Sequence, residues 1–243
     1  YFSQAGDDAI DDEPFALDGL QRYGASQSVL HAAIDPAVVD LDHSIACATR
    51  RLHDEGRLPP AGFGALVQTQ ITEQISALAA SWHEACRQWP LTDAQHELRH
   101  VGAGLLIEDW LTDLRRDDAG RHGRLELLNG ALLTKDGALR HEKLIPAWII
   151  HLLANANGLA MQTRVISADA QPVLRALSRE DAAERLDQLL AALQAGMQAP
   201  LPIARKTAYA WLRSVERNPV AAATLSYEGN SFVPIPGERD EDA

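Results

Sequence analysis

The spacing of apolar residues changes period twice along this chain, and that change constrains the fold more than any single motif. Up to Arg87 apolar side chains recur three or four apart; between Glu97 and Leu133 they fall into short runs broken by Gly102, Gly104, Asp117, Asp118, Gly120 and Gly123; from Leu144 the helical spacing returns. A chain patterned this way must pack helices on strands, so the expected class is α/β. Val38, Val39, Leu41, Ile45, Ala48 and Leu52 mark one early helix. The clearest helix follows the Pro- and Gly-dense Leu58-Pro59-Pro60-Ala61-Gly62-Phe63-Gly64 and carries Val67, Ile71, Ile75, Leu78, Trp82 and Cys86 on one stripe until Pro90 stops it. Strands and hairpins are expected through the Gly- and Asp-punctuated region.

Beyond it, Leu144 to Ala156 reads as a mostly buried helix with Pro146 in its first turn, and Ala160 to Ser167 as a strand. Ser178, with Asp181 three residues on, resembles a helix start for the face Leu186, Leu189, Leu190, Leu193 and Met197. A last helical stretch is expected from Arg205 to Tyr227, before a tail with Pro234 and Pro236. The stretch Asp7 to Glu13 is acidic and poor in apolar residues. The expected organisation is therefore an acidic linker and helical lead-in over residues 1–57, then a larger domain over 58–243.

Charge limits the partners such a chain can take. Lys and Arg number 22 against 34 Asp and Glu, a formal net charge of -12, which opposes a surface that binds phosphate backbones all over. Local positive faces remain open where Arg115, Arg116, Arg121 and Arg124 cluster, and again at Arg205, Lys206, Arg213 and Arg217. The two cysteines, Cys47 and Cys86, lie in helical-looking stretches, where free thiols are expected to act as small hydrophobes in a reduced, cytoplasmic setting. The run Leu144 to Ala154, interrupted by Pro146 and His151, is too short to cross a bilayer, and the acidic start lacks a signal-peptide pattern. No membrane role is expected.

His96-Glu97-Leu98-Arg99-His100 has the HExxH form of a zinc hydrolase helix, in which both imidazoles share a face and the glutamate polarises metal-bound water. Gly102 and Gly104 break any such helix, and the longer metzincin pattern fails at Ala103 and Leu106, so strand-borne histidines are the competing expectation. Gly102-Ala103-Gly104 lacks the third glycine of a dinucleotide loop, Ile107 standing there; no GxxxxGK[ST] loop and no GxSxG elbow occur. Glu108, Asp109 and Asp113 form an acidic group of the kind that could hold magnesium, although a solvated strand edge explains such acids equally.

Several segments in order carry a family resemblance. Glu13-Pro14-Phe15-Ala16-Leu17-Asp18-Gly19-Leu20 and Leu58 to Gly64 come first, then Asp109-Trp110-Leu111 with Leu114-Arg115, and Leu144-Ile145-Pro146-Ala147-Trp148-Ile149-Ile150-His151-Leu152. Gly196-Met197, Pro200-Leu201-Pro202, Lys206-Thr207-Ala208 and Tyr227-Glu228-Gly229 close the set. From about residue 13 to 229 the chain resembles the C-terminal region of the RecC (gamma) subunit of exodeoxyribonuclease V. The resemblance implies a PD-(D/E)xK nuclease-like fold, a mixed sheet flanked by helices.

In an active nuclease of that superfamily, an acid and a (D/E)xK on the next strand hold magnesium while the lysine orients water. Counted from Glu126 in Arg124-Leu125-Glu126-Leu127-Leu128, the lysine position holds Leu128, which has neither charge nor hydrogen bond to offer, and the first acid falls near Thr112 or Asp113. The resemblance thus implies a degenerate nuclease without catalytic residues, metal or cofactor of its own. Magnesium and ATP would be used by RecB-like and RecD-like partner subunits acting on double-stranded DNA ends in recombinational repair. Arg115, Arg116, Arg121, Arg205 and Lys206 are the candidate DNA or partner contacts, and Trp110 and Trp148 the expected core anchors. Two alternatives stand beside this reading: an active nuclease using Asp113, Glu126 and Lys135, and a zinc hydrolase at His96 and His100.

Overall fold

A computed structural model describes residues 17–199, 201, 203–230 and 235–240. The acidic stretch Asp7 to Glu13, and Pro200, Pro202 and Pro234, lie outside the described residues. The chain is α/β, with seven α-helices and a five-stranded sheet among the described residues. It divides into two units: residues 1–88 with 127–131 and 166–168, and residues 89–126 with 132–165 and 169–243.

The first unit is built on α1 (Gly19–Ala33), α2 (Leu41–Asp54) and α3 (Ala61–Gln88), which pack on one another. Asp18 starts α1 through a capping box: its carboxylate accepts from Gln21 N–H at 2.7 Å while the Gln21 side chain accepts from Asp18 N–H at 3.1 Å. Val29, Leu30 and Ala33 of α1, Ile45 and Leu52 of α2, and Ile71, Ile75 and Leu78 of α3 are buried. The helical period expected for α3 holds, with Val67, Trp82 and Cys86 half-buried at the margins of the stripe. Cys47 is exposed on α2, beside His43, and Cys86 is half-buried on α3. Val39 precedes α2 and is fully exposed.

The second unit opens with β1 (Leu91–Thr92), then the hairpin β2 (His96–Gly102) and β3 (Leu105–Leu111), then β4 (Leu114–Arg116) and β5 (His122–Leu127). Ala103 and Gly104 turn the hairpin, both at positive φ (48° and 71°), which explains the Gly-rich interruption seen in the sequence. Helix α4 (Ile145–Ala156), strands β6 (Gln162–Ile166) and β7 (Val173–Leu174), and helices α5 (Arg179–Gln198), α6 (Arg205–Arg213) and α7 (Pro219–Glu228) follow. Short strands β8 (Gly229–Asn230) and β9 (Ile235–Pro236) end the described chain, with a 3-10 turn at Glu238–Asp240. The larger sheet has the order β1-β4-β5-β6-β7; β2 with β3, and β8 with β9, form separate pairs.

The core of this unit joins Leu98, Leu111 and Leu114 from the strands to Leu152, Leu153 and Ala156 of α4, Met161, and Ala182 and Leu186 of α5. Ser178 caps α5 as expected, its hydroxyl accepting from Asp181 N–H at 3.0 Å. The single helix expected from Arg205 to Tyr227 is two helices. Helix α6 ends at Arg213, and after the turn that follows, Asn218 caps α7 by accepting from Ala221 N–H at 3.1 Å, with Pro219 in the first turn where its missing N–H costs nothing.

Trp110 is not a core anchor. Period-two alternation sends Leu98 and Leu111 inward, so Trp110, paired with Glu97, faces outward at 58% exposure alongside Val101 and Leu106. Trp148 packs against the core and stacks on His151, with ring centroids 5.4 Å apart.

His151 is fully buried between the Thr163 hydroxyl, 3.1 Å from Nδ1, and the Arg175 carbonyl, 3.0 Å from Nε2. A carbonyl can only accept, so Nε2 carries the proton and Nδ1 accepts from Thr163. Burial pushes this imidazole below its ordinary value of 6.5, with the Arg175 carbonyl opposing in part. The unfolded chain therefore binds the proton before the folded one does: the stabilisation is complete above 6.5 and is lost as pH falls below it. Urea midpoints measured about one pH unit either side of that value are expected to drop on the acid side, and His151→Gln to flatten the drop.

Candidate functional site

The residues that the family resemblance singles out, Thr112, Asp113, Glu126 and Leu128, lie around the β4–β5 hairpin. Thr112 and Asp113 form the connection from β3 to β4 and are exposed. Antiparallel pairing sets Leu114 opposite Arg124, which brings Asp113 beside Arg124, while Glu126, two residues along β5, shares the Arg124 face. Arg124 Nε donates to Asp113 Oδ2 at 2.9 Å, and its Nη1 donates to Glu126 Oε2. The arginine side chain is only 11% exposed, against 47% for Asp113 and 27% for Glu126. The guanidinium lies between the two carboxylates.

Leu128 follows the end of β5, half-buried, and its backbone N–H donates to Ile166 O at 2.9 Å. Lys135 is exposed in the turn closed by Thr134 and Ala138, and no hydrogen bond or ion pair joins it to Asp113 or Glu126. Among the described residues no group of three His, Cys, Asp or Glu side chains is placed to hold a metal ion. Magnesium needs carboxylate oxygens that are free to ligate. Here each acid has given an oxygen to an arginine, so the donor set does not fit that metal.

The arginines of the hairpin are tied to their own unit. Arg115 Nη1 donates to the Trp89 carbonyl at 3.2 Å, and Arg116 Nε lies 3.2 Å from Asp93 Oδ2. Arg121 pairs with Asp117 at 2.7 Å while its backbone N–H donates to the same carboxylate at 2.8 Å. From Asp113 to Glu126 the four arginines are balanced by Asp113, Asp117, Asp118 and Glu126, so the hairpin carries no net formal charge.

Asp93 also faces His122 Nε2 at 3.2 Å and His96 Nε2 at 3.7 Å. The Ala94 N–H, then Arg116 and the two histidines, hold its carboxyl below the ordinary range against the opposing effect of burial. Asp117 is lowered in the same way, chiefly by the Arg121 N–H. Arg205 and Lys206 are exposed at the start of α6, where the N–H groups of Lys206 and Thr207 donate to the Glu238 carboxylate at 3.0 and 2.8 Å. Burial raises the Glu238 pKa, but those two donors, together with the neighbouring Thr207 side chain and Lys206 ammonium, outweigh it and leave the net shift downward.

The HExxH residues lie on strand β2, not on a helix, which removes the geometry of a zinc hydrolase. Alternation turns Glu97 away from the face shared by His96 and His100. His96 faces Asp93, while His100 Nε2 binds Asp187 of α5 at 2.8 Å, so the two imidazoles have separate partners. Glu108 pairs with Arg99 at 3.4 Å and Asp109 accepts from Trp110 N–H at 2.7 Å. These acids do not gather around Asp113. Sequence reading did not find Arg124 as the bridge, Asp93 as the meeting point of three cationic or titratable side chains, or Glu238 as a helix cap. Only Arg124 left a signal, its spacing of two from Glu126.

The RecC C-terminal domain family matches residues 1–216. The RecBCD enzyme subunit RecC of Escherichia coli (strain K12) is 27% identical over 205 residues, which is 84% of this chain and 16% of that protein. The chain therefore spans about a sixth of the length of the curated relative it matches. Among solved structures, one titled "Crystal structure of SSO0001" matches with a TM-score of 0.30 and 12% identity over 70% of this chain and 85% of the other, a likeness too low to carry an argument. With 216 of its 243 residues matched, the chain belongs to the RecC C-terminal domain family.

Proposed function

We propose that this chain is a nuclease-like domain that cleaves nothing, serving assembly and DNA handling within a RecC-type subunit of a RecBCD-like helicase-nuclease at double-stranded DNA ends. Family membership supports the complex, since the matched relative is by name a subunit of RecBCD enzyme. The observation that carries the non-catalytic part is the Asp113–Arg124–Glu126 bridge with leucine at position 128: two acids committed to an arginine, and no ammonium beside them. ATP and magnesium chemistry falls to RecB-like and RecD-like partners in this reading, and the setting is the cytoplasm. The internal pairing of Arg115, Arg116 and Arg121 favours protein contact over wide phosphate contact, and Arg205 and Lys206, exposed at the start of α6, are the further candidate contacts for DNA or a partner.

Assembly is the direct test. Co-expressed with RecB-like and RecD-like subunits, the full subunit bearing this domain is expected to purify as one complex, and deletion of the domain to release a partner. A complex that keeps every subunit without the domain would remove the assembly role.

A further inference from the structure

The Arg124 guanidinium lies between Asp113 and Glu126, two acids at positions that the nuclease-like reading assigns to a divalent cation. We infer that Arg124 is a built-in cation: it neutralises the Asp113 and Glu126 carboxylates from within the chain and thereby excludes a divalent metal from a hairpin that would otherwise bind one. The inference rests on the proposed nuclease-like reading of the β4–β5 hairpin and deepens it, from a site that has lost its lysine to a site that is filled.

Three observations carry it. Arg124 is the most buried of the three side chains, 11% exposed, so its charge is placed inside rather than left in solvent. It bonds both acids at once, through Nε to Asp113 and Nη1 to Glu126, and thus holds together two like charges that would repel without a cation between them. The register of β4 on β5 fixes the three residues: Leu114, which Asp113 immediately precedes, faces Arg124, and Glu126 is two residues beyond Arg124 on the same strand. An arginine is charged at every accessible pH and cannot dissociate as a metal ion can, so the arrangement is permanent.

Binding of manganese by the full chain, followed by calorimetry and by thermal unfolding with and without the ion, tests this without reference to DNA cleavage. Failure here is thus distinguishable from failure of the functional reading. The wild-type chain is expected to show no manganese-dependent shift in melting temperature. Arg124→Met is expected to melt lower than wild type and to gain manganese binding at least about tenfold tighter, because two unneutralised carboxylates then face each other. Adding Glu126→Gln to Arg124→Met should remove that binding. Equal manganese affinity in wild type and Arg124→Met would overturn the inference, as would an Arg124→Met chain that neither binds manganese nor melts lower. Should Arg124→Met not fold, the triple variant Asp113→Asn, Arg124→Met, Glu126→Gln decides: recovery of folding supports the built-in cation, and continued loss contradicts it.

Discussion

Gly64→Ala is expected to destabilise the helical unit by roughly 3 kcal/mol, although alanine is the better helix former by about 1 kcal/mol. A Cβ at this position would stand 2.1 Å from the Pro59 carbonyl oxygen and 3.3 Å from its carbon, and a backbone carbonyl cannot swing aside as a flexible side chain does. Gly64 is buried in the first turns of α3, and the Leu58-Pro59 segment crosses directly over it. Gly62, two residues earlier in the same Pro- and Gly-dense run, meets nothing within 4 Å. Gly62→Ala should therefore be neutral or stabilising by up to about 1 kcal/mol. Urea unfolding of both variants separates the two glycines; equal midpoints would mean that the close approach at Gly64 is not what holds the entry to α3.

The second large effect is expected at Asn155. This side chain, 1% exposed, donates to the Met161 carbonyl at 3.0 Å and to the His151 carbonyl at 2.8 Å, and accepts from Leu177 N–H at 3.2 Å. It ties the end of α4 to the approach to β6 and to the segment leading into α5. Asn155→Leu keeps the volume but strands the Met161 carbonyl and the Leu177 amide in a buried setting, a loss of about 4 kcal/mol at roughly 2 kcal/mol for each group. Asn155→Asp keeps the acceptor for Leu177 yet turns an oxygen towards the Met161 carbonyl, and should also be clearly destabilised. A loss under about 1 kcal/mol in the leucine variant would show that water or a relaxed loop satisfies those groups.

Much of this architecture is written in local patterns. The change from helical to short-run spacing locates the hairpins, and Ser178 with Asp181, Pro146, and the stripe from Ile71 to Leu78 sit where helix physics places them. Trp110 was not legible, because alternation decides which face of β3 is inward only once Leu111 is known to be core. The start of α7 is legible after the fact in Asn218-Pro219, a cap followed by a residue suited to the first turn of a helix.

The site was half legible. Leucine two residues after Glu126 is visible in one dimension, whereas the pairing of Arg124 with Asp113 depends on the β4–β5 register, which joins residues 11 apart in sequence. Arg115, Arg116 and Arg121 read as a positive cluster because sequence proximity counts charges without their partners. In three dimensions, Asp93, Asp117 and the Trp89 carbonyl answer them. The same lesson applies to HExxH, whose meaning depends on a helix that β2 does not form.

The central claim is that the acids of this nuclease-shaped hairpin are held by an arginine and do no chemistry. Degradation of linear duplex DNA in magnesium by the assembled complex, with Asp113→Asn and Glu126→Gln introduced together in this domain, tests it most directly. The account predicts a rate indistinguishable from that of the unaltered complex; a loss of cleavage in an intact complex would contradict it.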